Sequence, residues 1–150
     1  MLKVPRYTVR MRYVCDAPGG ATWFSLETEA EAEAEAALMR HAVDKYFRRH
    51  EAAARESYRA PPNTPVFEQA IGLKGHIART MPLFLTLRAD DGEGLATAML
   101  PPEGRNQANF RIVIVGPENG DPYTAHTAAI AALARHFSLE LEREDCFPYA

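Results

Sequence analysis

A helical pattern from residue 28 to residue 58 separates two parts of the chain that both show the alternation of β-strands. Thr28 and Glu31 have the spacing of a capping box, and the alanine and glutamate that repeat over residues 29–36 are strong helix formers. Apolar residues recur every three or four positions, as in a helix that packs on a sheet or on another helix. Strands on both sides of one long helix favour an α+β fold.

Alternating apolar and polar residues, together with the turns between them, indicate the strands. The predicted strands are residues 7–15, 22–26, 83–87, 95–99, 110–115 and 139–141. Turn residues at 16–20 and at 90–94 predict that the first four strands form two hairpins. Residues 110–115 are apolar on both sides, which predicts an interior strand.

Two further helices complete the pattern. Thr64 and Pro65 predict the start of a shorter helix that runs to Arg79. Asp121 and Pro122 predict the cap and first turn of a last helix. We therefore expect a single α+β domain over residues 1–150, in the order ββα(α)βββαβ, with a mainly antiparallel sheet and two main helices packed on one face.

Composition indicates an ordinary globular domain, with 47% hydrophobic and 25% charged residues. The longest apolar stretch, residues 81–85, is far shorter than the ~20 residues that span a bilayer, and no apolar signal segment follows the first residue. We expect a cytoplasmic protein without a membrane partner, and the richness in alanine, arginine and proline suggests a GC-rich bacterial genome. Only Cys15 and Cys146 are present, which is too few for a disulfide framework, and their pairing stays open.

Charge is unevenly distributed along the sequence, although the net charge is only -3. Five glutamates lie within residues 27–35, whereas residues 40–80 carry eight basic and four acidic side chains. Such segregation can create acidic and basic surfaces that attract partners of opposite charge. We predict that the residues that contact a partner are Glu29, Glu31, Glu33, Glu35, Arg48, Arg49 and Arg55.

A candidate ligand loop joins the predicted interior strand to the last helix. Free backbone amides and the helix dipole can hold an anion at such a place. The polar residues of the loop are Asn119, Asp121, Tyr123, Thr124 and His126. A glycine-rich phosphate fingerprint is missing, and Glu118 and Asp121 would repel phosphate, so a capped connection is the simpler interpretation.

His50 and His126 both fall on the apolar stripes of their helices, and Cys15 points inward from its strand. If the two helices pack side by side, these three groups could form a metal or acid–base site. A histidine on an apolar stripe is more often a hydrogen-bonded core residue, however, and no two histidines are four apart. The other histidines share no face and are expected at the surface: His41, His76 and His136.

The sequence contains no convergent catalytic set and implies no cofactor and no metal. We predict a non-enzymatic binding or regulatory protein that docks on another macromolecule, as small inhibitors and immunity proteins do. The expected partner is a protein, and the chain would act as a monomer or homodimer. A nucleic-acid binder that uses a basic strand and helix face is one alternative, and a small enzyme or metal protein that uses His50, His126 and Cys15 is another. The basic face would comprise Arg10, Arg12, Lys45, Arg48, Arg49 and Arg55.

Overall fold

A computed structural model describes residues 11–149, so residues 7–10 of the predicted first strand lie outside the described range. Five antiparallel strands form one sheet, in the order in which they occur along the chain. The strands are β1 (Arg12–Asp16), β2 (Thr22–Leu26), β3 (Leu83–Arg88), β4 (Gly94–Leu100) and β5 (Val113–Val115). The helices are α1 (Glu29–Met39), α2 (Val43–Ser57), α3 (Val66–Thr80) and α4 (Tyr123–Phe137). The predicted α+β class and antiparallel sheet are confirmed.

The centre of the sheet joins parts of the chain that are far apart in sequence. β2 pairs with β3 although α1, α2 and α3 lie between them, and Trp23 faces Leu87 across this pairing. The two predicted hairpins, β1–β2 and β3–β4, flank this junction. Within residues 11–149, no helix is both long and apolar enough to cross a bilayer.

The single helix predicted over residues 28–58 is two helices, so that part of the prediction is wrong. The Thr28 cap is present, since the Glu31 amide donates to Thr28 Oγ1 at 3.1 Å, but the Glu31 carboxylate accepts the Glu27 amide and not that of Thr28 as a capping box requires. Arg40, however, adopts the left-handed conformation with φ 57 and ψ 54, which ends α1. A straight helix of this length would extend about 45 Å. The seven-residue β4 spans only about 23 Å, so the apolar stripe is buried only when α2 folds back on α1.

Helices cover both faces of the sheet, not one face as predicted. Along β3, Leu85 and Leu87 belong to the cluster that contains Ile130 of α4. Phe84 points the other way and packs on Phe47 of α2, with ring centroids 5.3 Å apart. The physical reason is that β3 is buried on both sides: Leu85 and Leu87 need an apolar cover, and on the opposite side Phe84 needs one while Arg88 needs the carboxylate of Glu35.

The last part of the chain also differs from the prediction. β5 is shorter than expected and lies at the edge of the sheet, beside β4. The final strand expected around Leu139 and Leu141 does not form, although both side chains are buried. Ser138 ends α4 in the left-handed conformation, so the chain turns back beneath the helix. One parallel bridge then joins Val113 to Phe147.

The break between α1 and α2 can be tested by a glycine substitution. We expect Arg40→Gly to leave the free energy of unfolding unchanged or to raise it by up to about 1 kcal/mol, because glycine adopts the left-handed conformation without a Cβ clash. The Arg40–Glu118 ion pair lost by this change is exposed and contributes little. If Arg40 lay inside a continuous helix, Arg40→Gly would instead lower the free energy of unfolding by about 1 kcal/mol. Urea unfolding of Arg40→Gly is compared with that of Ala37→Gly, which changes an exposed residue within α1. Equal losses in the two variants would contradict the break.

Candidate functional site

The residues predicted to contact a partner are engaged by neighbours within the protein, and three of them pair with one another. Because α2 folds back on α1, Arg48 lies 3.6 Å from Glu29, 3.3 Å from Glu33 and 3.1 Å from Asp44. Arg49 stacks over the ring of Tyr46 at 5.3 Å. The charge segregation seen in the sequence is therefore cancelled in this region of the fold. Two further residues of the predicted contact set bind neighbours in the sequence. Arg55 pairs with Glu51, and Glu31 Oε1 accepts a hydrogen bond from the Glu27 amide at 2.7 Å.

Glu35, the last of the predicted docking glutamates, is fully buried, so this part of the prediction is wrong. It shares a helix stripe with Ala32 and Met39, three residues before and four residues after it, which are buried as well. Its carboxylate forms an ion pair with Arg88 of β3 at 2.7 Å, and both side chains are at most 1% exposed. Glu35 therefore fixes α1 on the sheet and contacts no partner.

Two threonines of the sheet complete the environment of this ion pair. Arg88 Nε donates to Thr86 Oγ1 at 3.0 Å, and Thr97 Oγ1 donates to the second oxygen of Glu35. The buried carboxylate thus accepts one bond from a cation and one from a neutral hydroxyl. A buried charge is tolerated when it is paired and hydrogen-bonded in this way.

His41 extends this chain of hydrogen bonds towards the surface. Its Nε2 lies 2.9 Å from Thr97 Oγ1, and its Nδ1 lies 3.4 Å from the amide of Val43 at the start of α2. The Thr97 hydroxyl donates its proton to Glu35, so its oxygen can only accept from His41 Nε2, which therefore carries a proton. Nδ1 accepts from the Val43 amide, so the imidazole is neutral. Burial lowers the pKa of His41 against the opposing effect of the Glu35 carboxylate. The surface location expected for His41 is incorrect.

The residues of the candidate ligand loop act mainly as structural groups. Asp121 caps α4 as predicted, because its Oδ1 accepts the Tyr123 amide at 2.9 Å, and its other oxygen accepts from Arg143 Nε at 2.8 Å. The hydrogen bond from the Tyr123 amide lowers the pKa of Asp121. Tyr123 donates its hydroxyl to Leu141 O at 2.8 Å, and burial raises its pKa. Asn119 ends a short 3-10 turn, and Thr124 is exposed.

The three groups proposed for a metal or acid–base site do not converge. His50 packs on Phe84, with ring centroids 6.1 Å apart, on the face covered by α1 and α2. His126 lines an open groove of about 340 Å³ with Ala21 and Ala129, on the face covered by α4. Cys15 packs against that second cluster. The sheet separates His50 from the other two, so the predicted site is wrong, and residues 11–149 hold no cluster of three metal-ligating groups.

Helix α3 carries the three most exposed of the large apolar side chains among residues 11–149. Val66 is 79%, Phe67 86% and Ile71 72% exposed, and no side chain of α3 is buried. Its inner side rests on the end of α2, where His76 lies 2.7 Å from Ser57 Oγ and stacks near Tyr58 at 5.4 Å. A Cβ at Gly72 would collide with the Tyr58 hydroxyl, so this glycine sets the close approach.

The outer side of α3, which we call the α3 face, is a stripe of side chains at helical spacing. It comprises Phe67, Ile71, Lys74 and Ala78, with Val66, Ala70, Glu68 and Gly75 beside it. The sequence predicted this helix but assigned no role to its apolar residues. The available signal was that α3 carries apolar residues on two sides, Phe67 and Ile71 on one and Leu73 and Ile77 on the other, whereas only one side can face the rest of the fold.

Comparison with protein-family models, with curated proteins and with solved structures found no match for this chain.

Removing one member of the buried ion pair should destabilise the fold strongly. Glu35→Leu leaves the Arg88 guanidinium without its carboxylate, and we expect the free energy of unfolding to fall by about 3–5 kcal/mol. The double variant Glu35→Leu with Arg88→Met removes both charges, and its free energy of unfolding should fall much less. Glu33→Leu, whose carboxylate pairs with Arg48 in solvent, serves as the control and should change stability by about 0.5 kcal/mol or less. Urea unfolding measures all four proteins, and a single-variant loss no larger than that of the control would contradict the account.

Stability should depend on pH through His41. The unfolded imidazole takes up a proton near its ordinary pKa of 6.5, whereas the pKa of the folded one is lower. Between these two values the unfolded state binds more protons, so the free energy of unfolding falls as pH drops below 6.5. His41→Gln keeps a donor for Thr97 and does not titrate, so its stability should fall less over the same range.

The control for this measurement is His50→Gln, because burial also lowers the pKa of His50. Urea midpoints at a series of pH values for the three proteins separate the two histidines. Parallel profiles for the wild-type protein and His41→Gln would show that His41 does not contribute.

Proposed function

We propose that this protein is a non-enzymatic binding protein that docks on another protein through the α3 face. The observation that carries the proposal is the exposure of Val66, Phe67 and Ile71 on a single helix. Burying one such side chain fully contributes about 1.5–3 kcal/mol, and this protein leaves three adjacent ones in solvent. Contiguous apolar surface of this kind is typical of a protein contact.

The arrangement of charge supports a protein partner over a nucleic acid. Three of the basic residues proposed for phosphate binding pair with carboxylates of the same chain, and two of these pairs are Arg12 with Glu27 and Arg55 with Glu51. Arg48 has three carboxylates within 3.6 Å. Phosphate binding draws its free energy from counterions released from DNA, and a cation already paired within the protein has little to offer it.

The location of the reactive groups supports binding over catalysis. Glu35, Arg88 and Thr97 are enclosed between α1 and the sheet, where a substrate has no access without opening the fold. The larger open groove, about 460 Å³ between α4 and the chain after it, has as many polar as apolar lining residues, and the hydroxyl of one of them, Thr127, donates to Tyr123 O. The other polar lining residues are Tyr123, Arg135, Glu140 and Glu142. Tyr123 already donates its hydroxyl to Leu141 O in this groove. Neither place combines access with a nucleophile, a base and a stabilising group.

A photo-crosslinking residue at position 71 tests this proposal. In native lysate we expect it to form a covalent adduct with one defined protein, and Phe67→Glu in the same chain should abolish that adduct because it places a charge in the contact. A crosslinker at Ala128, which is exposed on α4, is the control. The proposal is wrong if position 71 yields no adduct, or if it yields the same adducts as position 128.

A further inference from the structure

We propose that the partner of the α3 face is a second copy of this chain, with two α3 helices packed antiparallel about a two-fold axis at Ile71. This inference rests on the proposed function, because it takes the α3 face as the contact surface and names its partner. A two-fold interface must be self-complementary, since each residue meets either itself or a residue that meets it in return. The residues on either side of Ile71 satisfy this condition.

Four side-chain positions of α3 divide into two flanks around Ile71. At about 100° per residue, Phe67 and Lys74 fall on one flank, and Glu68 and Gly75 fall on the other. The two-fold axis lies between the two helices and is perpendicular to both. It brings the same flank of each helix together and makes the two chains run in opposite directions. Phe67 of one copy therefore meets Lys74 of the other, and Glu68 meets Gly75.

The first of these meetings joins an aromatic ring to a cation. Phe67 is 86% exposed and Lys74 is also exposed. A lysine ammonium group over an aromatic ring gives a cation–π contact, and the lysine stem packs on the ring. Two such contacts form in the pair, one on each side of the Ile71 side chains.

The second meeting joins a carboxylate to a guanidinium. Gly75 has no side chain, and Arg79 folds back across it, with Nη1 3.1 Å from the place where a Cβ would stand. Glu68 of the second copy would therefore lie against Arg79 and form an ion pair, which symmetry repeats. A uniformly acidic or uniformly basic partner would meet a like charge at Glu68 or at Lys74, whereas a second copy meets none at these positions.

Sedimentation analysis of the full chain over about 5 to 500 µM tests the inference, since one helix pair is a small interface that dissociates at low concentration. We expect the mass to rise from the 16.7 kDa of one chain towards twice that value. Ile71→Glu, Glu68→Arg and Arg79→Glu should each raise the dimer dissociation constant by about tenfold or more. Glu68→Arg combined with Arg79→Glu should restore it to within about threefold, because the pair re-forms with its charges exchanged.

A matched control is Tyr13→Ser, which removes an aromatic side chain that is 57% exposed outside α3 and should leave dimerisation unchanged. Circular dichroism checks that every variant is folded. A mass of one chain at all concentrations, or a double variant that fails to recover, overturns the two-fold pairing. If the chain stays monomeric while position 71 crosslinks to a different protein, the second copy is excluded and the docking proposal stands. A dimer whose position 71 crosslinks only to a second copy supports this inference and identifies that copy as the protein on which the α3 face docks.

Discussion

A sheet has two faces, and in this protein helices other than α3 pack on both of them. α4 packs on one face around Ile130 and Leu133, and α1 and α2 pack on the other around Phe47 and Phe84. α3 packs on the end of α2 through His76 and Gly72 and adds Ile77 to the second cluster, and its outer side has no described element to cover it. The exposure of Phe67 and Ile71 follows from this packing. The functional proposal depends on the same fact.

The Glu35–Arg88 ion pair explains how α1 holds its place in this arrangement. α1 is built largely from alanine and glutamate, and it buries only Ala32, Glu35 and Met39. Such a surface contributes little apolar area, so its position on the sheet is poorly specified by packing alone. Directional bonds from Arg88 and Thr97 to one carboxylate supply that specification. His41 ties the same network to the start of α2, which couples the two helices to the sheet.

Local patterns in the sequence were sufficient for most elements and insufficient for their assembly. The two hairpins, the Thr28 cap and the Asp121 cap depend on neighbouring residues, and each was predictable. The break at Arg40 was not, because a left-handed arginine has no sequence signature and arises from the short sheet that the helix must cover. The chain beyond α4 likewise has the alternation of a strand without a strand neighbour to pair with.

In the candidate site, too, some features could be predicted from neighbouring residues, whereas others depend on contacts between residues far apart in the sequence. Glu35 looked like one more solvated glutamate, and only its spacing from Ala32 and Met39 could have indicated burial. Arg88 continues the alternation of Phe84 and Thr86, so its inward direction was available, but its partner 53 residues away was not. The α3 face was hidden for a different reason. An apolar stripe predicts burial, and the sequence gives no sign that every covering surface is already occupied.

Hydroxyl-radical footprinting of the dilute chain tests the central claim most directly, because it reports the solvent exposure of individual side chains. The account predicts that Phe67 is oxidised many times faster than Phe84, since the two rings are 86% and 2% exposed. A Phe67 ring that is protected to the same degree as Phe84 in the dilute chain would contradict it, because the α3 face would then already be covered by the protein itself.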